Sequence, residues 1–133
     1  MTLSSPAEAK ETAKTLSSCP NSPNCVSSQA ADGDHFIAPF KIKGKPEDAF
    51  AVLKNALTGQ SRTVITEASD NTLHAEATSL IFRFVDDVDA ILDKDAGVIH
   101  IRSASRVGYS DFGVNRKRVE GLRAILQQAG VIE

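Results

Sequence analysis

The stretch RSASRVGYSDFGVNRKRVE, residues 102–120, predicts the end of a strand, a glycine-rich turn and the start of a basic helix in close succession. Residues 102–123 carry six basic and two acidic side chains, although the whole chain of 133 residues has a formal net charge of −2. Free N–H groups and the positive dipole at a helix N-terminus favour an anion. We therefore predict an anion-binding region lined by Arg102, Arg106, Tyr109, Ser110, Asn115, Arg116 and Arg118.

The turn itself contains two glycines, Gly108 and Gly113. Glycine at such positions predicts either a positive φ or the close approach of another group, and a ligand anion is one candidate for that group. Ser110 or Asp111 is expected to cap the helix that follows, which is a structural role.

The composition indicates one soluble domain with an ordinary hydrophobic core. Apolar residues make up 41% of the chain and charged residues 24%, and no stretch is long and apolar enough for a membrane span. We expect residues 1–16 to form a flexible arm and residues 17–133 to form the domain. Residues 1–18 lack the apolar segment of a signal peptide, which predicts a cytoplasmic protein; removal of a signal segment would instead imply a periplasmic or lumenal one.

Both cysteines, Cys19 and Cys25, lie in the loop CPNSPNCVSS, residues 19–28. A disulfide between them needs an oxidising compartment, which the missing signal segment does not favour. A metal site completed by one or more of His35, His74 and His100 is a second alternative, but the spacing of the cysteines is unlike that of zinc knuckles. A reactive thiol is a third, although no neighbour would lower its pKa. We favour a compact turn whose thiols are reduced or loosely paired, and we predict no metal and no cofactor.

Alternating apolar residues predict strands, and apolar residues three or four positions apart predict helices. The first strand is expected from His35, with Phe36 and Phe40 on the same face, and the first helix from Pro46 to Gly59. The remaining strands are predicted at Thr63–Ala68, Thr72–Thr78, Asp87–Asp93 and Val98–Ser103. The second of these is expected to continue through Ser79–Val85, with Phe82 and Phe84 on one face. The last helix is predicted at about Val114–Ala129, with its buried residues at Val119, Leu122, Ile125 and Leu126.

The resulting order, β-α-β-β-β-β-α, predicts an α+β fold in two layers. An antiparallel sheet of about five strands would carry both helices on one face and leave the other face to solvent or a ligand. This order is similar to a single unit of the TATA-box-binding-protein fold, an analogy of fold that implies no DNA binding.

Three sequence blocks carry a family resemblance: residues 19–28, the segment FRFVDD at residues 82–87, and the stretch at residues 102–120. Together they resemble the bacterial and plastid family catalogued as domain of unknown function 1499, over about residues 17–126. The resemblance implies a small globular protein, with export or lipoprotein signals in some members, and it implies no reaction.

The open face of the predicted sheet holds the candidates for acid–base chemistry. If the small apolar residues of the strand at 72–78 point to the helices, His74 and Glu76 point away from them, as does His100 on the last strand. Proton transfer or oxyanion binding is chemically feasible there, with Arg102 as an electrophilic group. The competing interpretation is a solvated face with cross-strand ion pairs.

A second structural interpretation concerns Asp86 and Asp87. At least one of these carboxylates is expected to be partly buried and to need a cation, for which Arg102 and Arg106 are the natural candidates. In that case the basic stretch stabilises the fold and does not bind a ligand.

Two hypotheses of function therefore stand. The first is a non-enzymatic binding module that holds an anionic small molecule or an acidic partner segment near residues 102–118. The second is a small enzyme that uses the acid–base residues of the open face. Nucleic acid is not expected as a partner, because the net charge is negative and the aromatic residues are few. A homodimer through the sheet edge or the open face is a further arrangement to consider.

Overall fold

The computed structural model describes residues 15–108 and 110–133. Tyr109 and residues 1–14, which make up most of the predicted arm, lie outside this description. The helices and strands in chain order are β1 (Cys25–Ser27), β2 (Phe40–Lys41), α1 (Pro46–Thr58), β3 (Thr63–Ala68), β4 (Thr72–Thr78), β5 (Val85–Asp93), β6 (Val98–Ser105) and α2 (Val114–Gln128).

The sheet is antiparallel throughout and follows the order β1-β6-β5-β4-β3, with the short strand β2 also paired to β6. The predicted α+β fold with an antiparallel sheet is confirmed, but the sheet has six strands where about five were expected. The additional strand is β1, which belongs to the cysteine-containing loop. Its three residues pair with the end of β6, so the order of elements becomes β-β-α-β-β-β-β-α.

Both helices pack on the same face of the sheet, as predicted. The apolar residues of β4 and β5 alternate with polar ones, so that one face of each strand is buried. These residues form a single core with the inner faces of the helices, and its members include Phe50, Leu53 and Leu57 of α1, Leu73, Ala75, Val88, Ala90, Leu92, Ile99 and Ile101 of the sheet, and Val119, Leu122 and Leu126 of α2.

The segment between β4 and β5 is the main departure from the prediction. Residues 79–84 were expected to continue a strand with Phe82 and Phe84 in the core, but they form a loop in which both rings are exposed. The backbone turns at Arg83, which has a φ of 60°. Because Leu80, Ile81 and Phe82 follow one another directly, no alternation could bury all three on one face of a strand.

Two smaller predictions of side-chain direction were also wrong. Phe36 is exposed, whereas His35 and Ile37 on either side of it are buried, because only Phe40 and Lys41 of this region form a strand. Ile125 of α2 is 42% exposed, since the buried stripe of that helix runs along Val119, Leu122 and Leu126.

Cys19 and Cys25 form a disulfide, with their Cα atoms 5.7 Å apart. The favoured prediction of reduced or loosely paired thiols is therefore wrong in this structure, and neither sulfur is available as a metal ligand. The loop that the disulfide closes packs on the turn after β6, where the side-chain amide of Asn24 donates a 2.8 Å hydrogen bond to the carbonyl of Gly108.

The face of the sheet opposite the helices is only partly open. The segment preceding the disulfide crosses it, with Leu16 buried and with the carbonyl of Ser18 accepting a 3.2 Å hydrogen bond from Arg102. Neither helix of the described chain is long and apolar enough to cross a membrane.

Candidate functional site

The open face carries a cluster of charged side chains from three adjacent strands. We call His74, Glu76, Asp87, Asp89 and Arg106 the open-face cluster. Glu76 of β4 lies directly opposite Asp87 of β5, and His74 lies opposite Asp89. Strand alternation places all four on the face away from the helices, and Arg106 reaches them from the end of β6. The sequence predicted the orientation of His74 and Glu76, because their buried neighbours in β4 are small and apolar.

Short contacts join all five side chains. The Arg106 guanidinium donates to both carboxylate oxygens of Asp87, at 2.8 and 2.9 Å, and lies 2.8 Å from Glu76. The Nδ1 atom of His74 lies 2.6 Å from Asp89, and its Nε2 atom lies 3.2 Å from Asp87. The cluster is therefore a continuous network of opposite charges.

The network shifts the titration of its members. Burial opposes the charging of His74, but the hydrogen bond to Asp89 and the surrounding carboxylate charges outweigh burial, so the pKa of His74 lies above its ordinary value. The hydrogen bond from Arg106 holds the pKa of Asp87 below its usual range, against the effect of desolvation. Each shift favours the charged form of the group.

A second network lies beneath the basic stretch, at the start of α2. Asn115 is completely buried, and its Oδ1 atom accepts hydrogen bonds from Ser103 at 2.6 Å and from Arg118 at 2.8 Å. Arg118 also lies 2.9 Å from the carboxylate of Asp86. Two of the predicted ligand-binding residues, Asn115 and Arg118, thus bind groups of the protein itself.

The N-terminus of α2 is occupied by a carboxylate of the chain. Asp111 accepts hydrogen bonds from the backbone N–H groups of Gly113 and Asn115, at 2.9 and 3.0 Å. Burial raises the pKa of Asp111, but these bonds and the one from the Asn115 side chain outweigh it and lower that pKa below its ordinary value. Both glycines of the turn, Gly108 and Gly113, have a positive φ, with open space where a Cβ would lie. A positive φ is sufficient to explain these glycines, since no described protein atom beyond the adjacent residues lies within 4 Å of either Cβ position.

The other arginines of the stretch contact backbone carbonyls. Arg116 donates to the carbonyls of Phe36 and Asp34, at 3.0 and 3.2 Å. The Nε atom of Arg102 is buried and has no hydrogen-bond partner among the described residues, although its Nη2 atom binds the carbonyl of Ser18. The hydroxyl of Ser110 accepts a 3.3 Å hydrogen bond from the backbone N–H of Phe112.

His100 lies apart from the open-face cluster. Its Nδ1 atom is 3.1 Å from the hydroxyl of Ser28, and that hydroxyl also accepts a 2.9 Å hydrogen bond from the backbone N–H of Ile101. Burial lowers the pKa of His100. The structure thus contains a serine–histidine contact that the sequence spacing did not indicate, with a buried serine.

The least expected surface is an apolar rim at one end of the sheet. We define the rim by six exposed side chains on two loops, which are Leu80, Ile81, Phe82, Phe84, Val107 and Phe112. The loops are neighbours, because the backbone N–H of Arg106 donates to the carbonyl of Val85 and because Leu80 and Val114 line one cavity. Phe112 is 89% exposed and Ile81 79% exposed. The run of three adjacent apolar residues at 80–82 was the signal in the sequence.

The family described as "Protein of unknown function (DUF1499)" matches residues 15–126. The chain belongs to this family. The match confirms the resemblance stated from the three sequence blocks, and it includes both loops of the apolar rim and the whole open-face cluster. No curated protein and no solved structure matches the chain.

In this member of the DUF1499 family, one group of described side chains is arranged so that it could hold a metal ion. One ligand atom each from His74, Glu76 and Asp87 lies within 4.8 Å of the others. No larger group of histidine, cysteine and carboxylate side chains with this geometry occurs within residues 15–108 and 110–133.

Proposed function

We propose that this protein is a non-enzymatic binding module that holds an anionic partner at the end of the sheet formed by the 79–84 loop and the 102–118 stretch. The observation that carries the proposal is the apolar rim. A folded domain rarely keeps six large apolar side chains in water on neighbouring loops, and such surfaces mark sites of interaction.

The charges around the rim favour an anionic partner. Arg83 lies within the 79–84 loop, and Lys117 lies in the first turn of α2. Arg62 uses its Nε atom to bind the carbonyl of Thr78, directly before that loop. No carboxylate of the described chain pairs with any of these three cations, whereas the acids of this end are engaged by arginines or by the N-terminus of α2.

The shape of the rim favours an anionic lipid surface as the partner, ahead of a free small molecule or an acidic protein segment. Its apolar side chains lie on loops, and all six are more than half exposed. Projecting apolar side chains flanked by cations suit the boundary between headgroups and acyl chains of an anionic bilayer. An acidic segment would use the cations but would leave Ile81 and Phe112 in water.

Vesicle co-sedimentation tests the proposal. The protein should bind phosphatidylcholine vesicles that contain phosphatidylglycerol more strongly than vesicles of phosphatidylcholine alone. Ile81→Ser should weaken this binding, whereas Ile125→Ser, the same change at an exposed position on α2, should not. Lys117→Gln should weaken binding about fivefold, since one cation near an anionic surface contributes about 1 kcal/mol. Lys54→Gln on α1 is its matched control.

Three results would contradict the lipid assignment. Equal binding to both vesicle types would show that the cations do not contribute to binding. Unchanged binding of Ile81→Ser would show that the apolar rim does not contribute. If the protein bound a soluble acidic peptide, and if Lys117→Gln but not Ile81→Ser abolished that binding, the partner would be an acidic protein segment and not a membrane. Concentration-dependent self-association lost in Ile81→Ser would assign the rim to a homodimer.

The contact between Ser28 and His100 keeps the enzyme hypothesis as the second candidate. A serine next to a histidine is the minimal pair for nucleophilic catalysis. The burial of Ser28 and the hydrogen bond that it accepts from Ile101 favour a structural role for it. Modification of Ser28 by a fluorophosphonate probe, lost in His100→Gln, would support the enzyme hypothesis; an unmodified Ser28 would oppose it.

A further inference from the structure

Three potential metal ligands of the open-face cluster converge from two neighbouring strands. Glu76 and Asp87 are directly opposite each other, and His74 is two residues from Glu76, on the same face of β4. The Nε2 atom of His74 lies 3.2 Å from Oδ1 of Asp87 and 3.8 Å from Oε2 of Glu76. Ligand atoms that share a metal at about 2.0–2.2 Å lie roughly 3 Å apart, so small side-chain rotations would complete the contacts.

Asp89 orients the histidine of this group. It lies opposite His74 in the sheet, and its Oδ1 atom is 2.6 Å from Nδ1 of the ring. In the neutral tautomer whose Nδ1–H donates a hydrogen bond to Asp89, the lone pair of Nε2 faces Glu76 and Asp87. Histidines that bind metals commonly donate their other ring N–H to a carboxylate, which fixes the tautomer and the ring orientation.

A cationic group of the protein already occupies the same oxygens. The guanidinium of Arg106 contacts Asp87 and Glu76 at 2.8–2.9 Å, and it supplies the positive charge that these carboxylates need. The Arg106 side chain is 45% exposed. It can therefore turn into solvent without leaving a buried charge unpaired.

We propose that His74, Glu76 and Asp87 form a binding site for a divalent first-row transition-metal ion, which displaces the guanidinium of Arg106. One imidazole and two carboxylates suit ions such as Zn²⁺ or Mn²⁺ and leave coordination positions open to water. Binding releases the proton from Nε2 of His74 when that nitrogen is protonated, because only the free lone pair coordinates the ion. The site is independent of the lipid contact proposed for the rim.

Calorimetric titration with Zn²⁺ tests this inference. We expect one ion per chain in the wild type and tighter binding, by about tenfold, in Arg106→Ala, because the competing charge-assisted contacts are absent there. Binding should be lost in His74→Gln and Glu76→Gln. Glu47→Gln, which changes an exposed glutamate of α1, is the matched control and should bind as the wild type does.

Nuclear magnetic resonance provides a reading that does not depend on the folding of the variants. Addition of Zn²⁺ to the wild type should shift the Nε2 resonance of His74 and leave that of His35 in place. The inference is overturned if neither the wild type nor Arg106→Ala binds Zn²⁺, if Glu76→Gln binds as tightly as the wild type, or if the shifted histidine is not His74.

Discussion

Arg118 and Asp86 form an ion pair across the start of α2 and the start of β5, with Nη2 and Oδ2 2.9 Å apart. Their side chains are only 15% and 12% exposed. The pair of Arg106 and Asp87, in the next register position on the opposite face, is much more open to solvent. Because successive side chains of β5 point to opposite faces, Asp86 pairs with Arg118 on the helix side of the sheet and Asp87 pairs with Arg106 on the open face.

Loss of either partner of the buried pair should destabilise the protein strongly. Arg118→Ala or Asp86→Asn leaves one buried charge without its counter-charge, which costs about 3–5 kcal/mol of unfolding free energy. Urea denaturation followed by circular dichroism measures the effect. Asp87→Asn is the comparison and should cost less, because its partner Arg106 is 45% exposed.

The double variant of Arg118 and Asp86 completes the test. Its loss of stability should be much smaller than the sum of the two single losses, since no unpaired charge remains. Additive losses would show that the two side chains contribute independently and that the ion pair is not the cause.

Asn115 is a second residue whose removal should be costly. Its side chain is fully buried and bonds to Ser103, Arg118 and Asp111. Asn115→Ala leaves several of these polar groups without a partner, so we expect a loss of about 3 kcal/mol, the upper end of the usual range. Asn55→Ala on the exposed side of α1 should change stability by less than about 0.5 kcal/mol. Equal losses of stability in the two variants would show that the hydrogen bonds of Asn115 do not stabilise the fold.

The sequence was sufficient to predict which side chains of the central strands face the helices, because successive side chains of a strand point to opposite faces of the sheet. Ala75 and Ala77 are buried, so His74 and Glu76 had to lie on the other face, and the structure agrees. The pairing of Arg106 with Asp87 was also among the predicted options, on the expectation that at least one of the two aspartates is partly buried and needs a cation. For Asp86 the predicted partners, Arg102 and Arg106, were wrong: its partner is Arg118, and the sequence does not specify which turn of α2 lies over the start of β5.

The rim and the disulfide were not predicted, for two different reasons. Phe82 and Phe84 alternate as strand residues do, and this alternation was given more weight than the contrary signal of three adjacent apolar residues at 80–82. The backbone turns at Arg83, and both rings are exposed. The pairing of Cys19 and Cys25 was considered less favourable because of the expected compartment, an argument about the cell and not about the loop. The compact geometry of the loop itself favours the bond.

The disulfide should contribute measurably to stability. Closing a loop of this length restricts the unfolded chain by about 2 kcal/mol in the chain-entropy account. Reduction of the wild type should lower the denaturant midpoint accordingly, whereas the double variant Cys19→Ser, Cys25→Ser should be insensitive to the reductant. Titration of the non-reduced wild type should find no free thiol; two reactive thiols would contradict the bond.

Asp111 should keep soluble anions away from the N-terminus of α2. Gly113 is the N-cap residue, but the carboxylate of Asp111 binds two backbone N–H groups there, and Asp111→Ala should cost about 1 kcal/mol, the magnitude typical of a lost capping side chain. The vacated N–H groups should then accept sulfate, so that sulfate raises the melting temperature of the variant more than that of the wild type, with chloride at equal ionic strength as the control. A larger effect in the wild type would mean that a separate anion site exists despite Asp111.

His35 should make the stability of the protein depend on pH. Its Nε2 atom lies 2.7 Å from the carbonyl of Ser22 and its Nδ1 atom lies 2.7 Å from the carboxylate of Asp32, so both ring nitrogens face acceptors. The contact with Ser22 and then that with Asp32 raise the pKa of His35 above its ordinary value. A histidine with a raised pKa in the folded state stabilises that state fully below its unfolded pKa, and the contribution is lost as the pH rises through the folded pKa.

The change from about pH 5.5 to about pH 8.5 should therefore lower the unfolding free energy of the wild type more than that of His35→Gln. Part of the dependence should remain in the variant, because the pKa of His74 is raised as well. Urea denaturation at the two pH values measures the difference, and the histidine resonances report the pKa directly. If the two proteins lost equal stability, folding would not raise the pKa of His35, and the acceptors at its two ring nitrogens would not stabilise the charged ring.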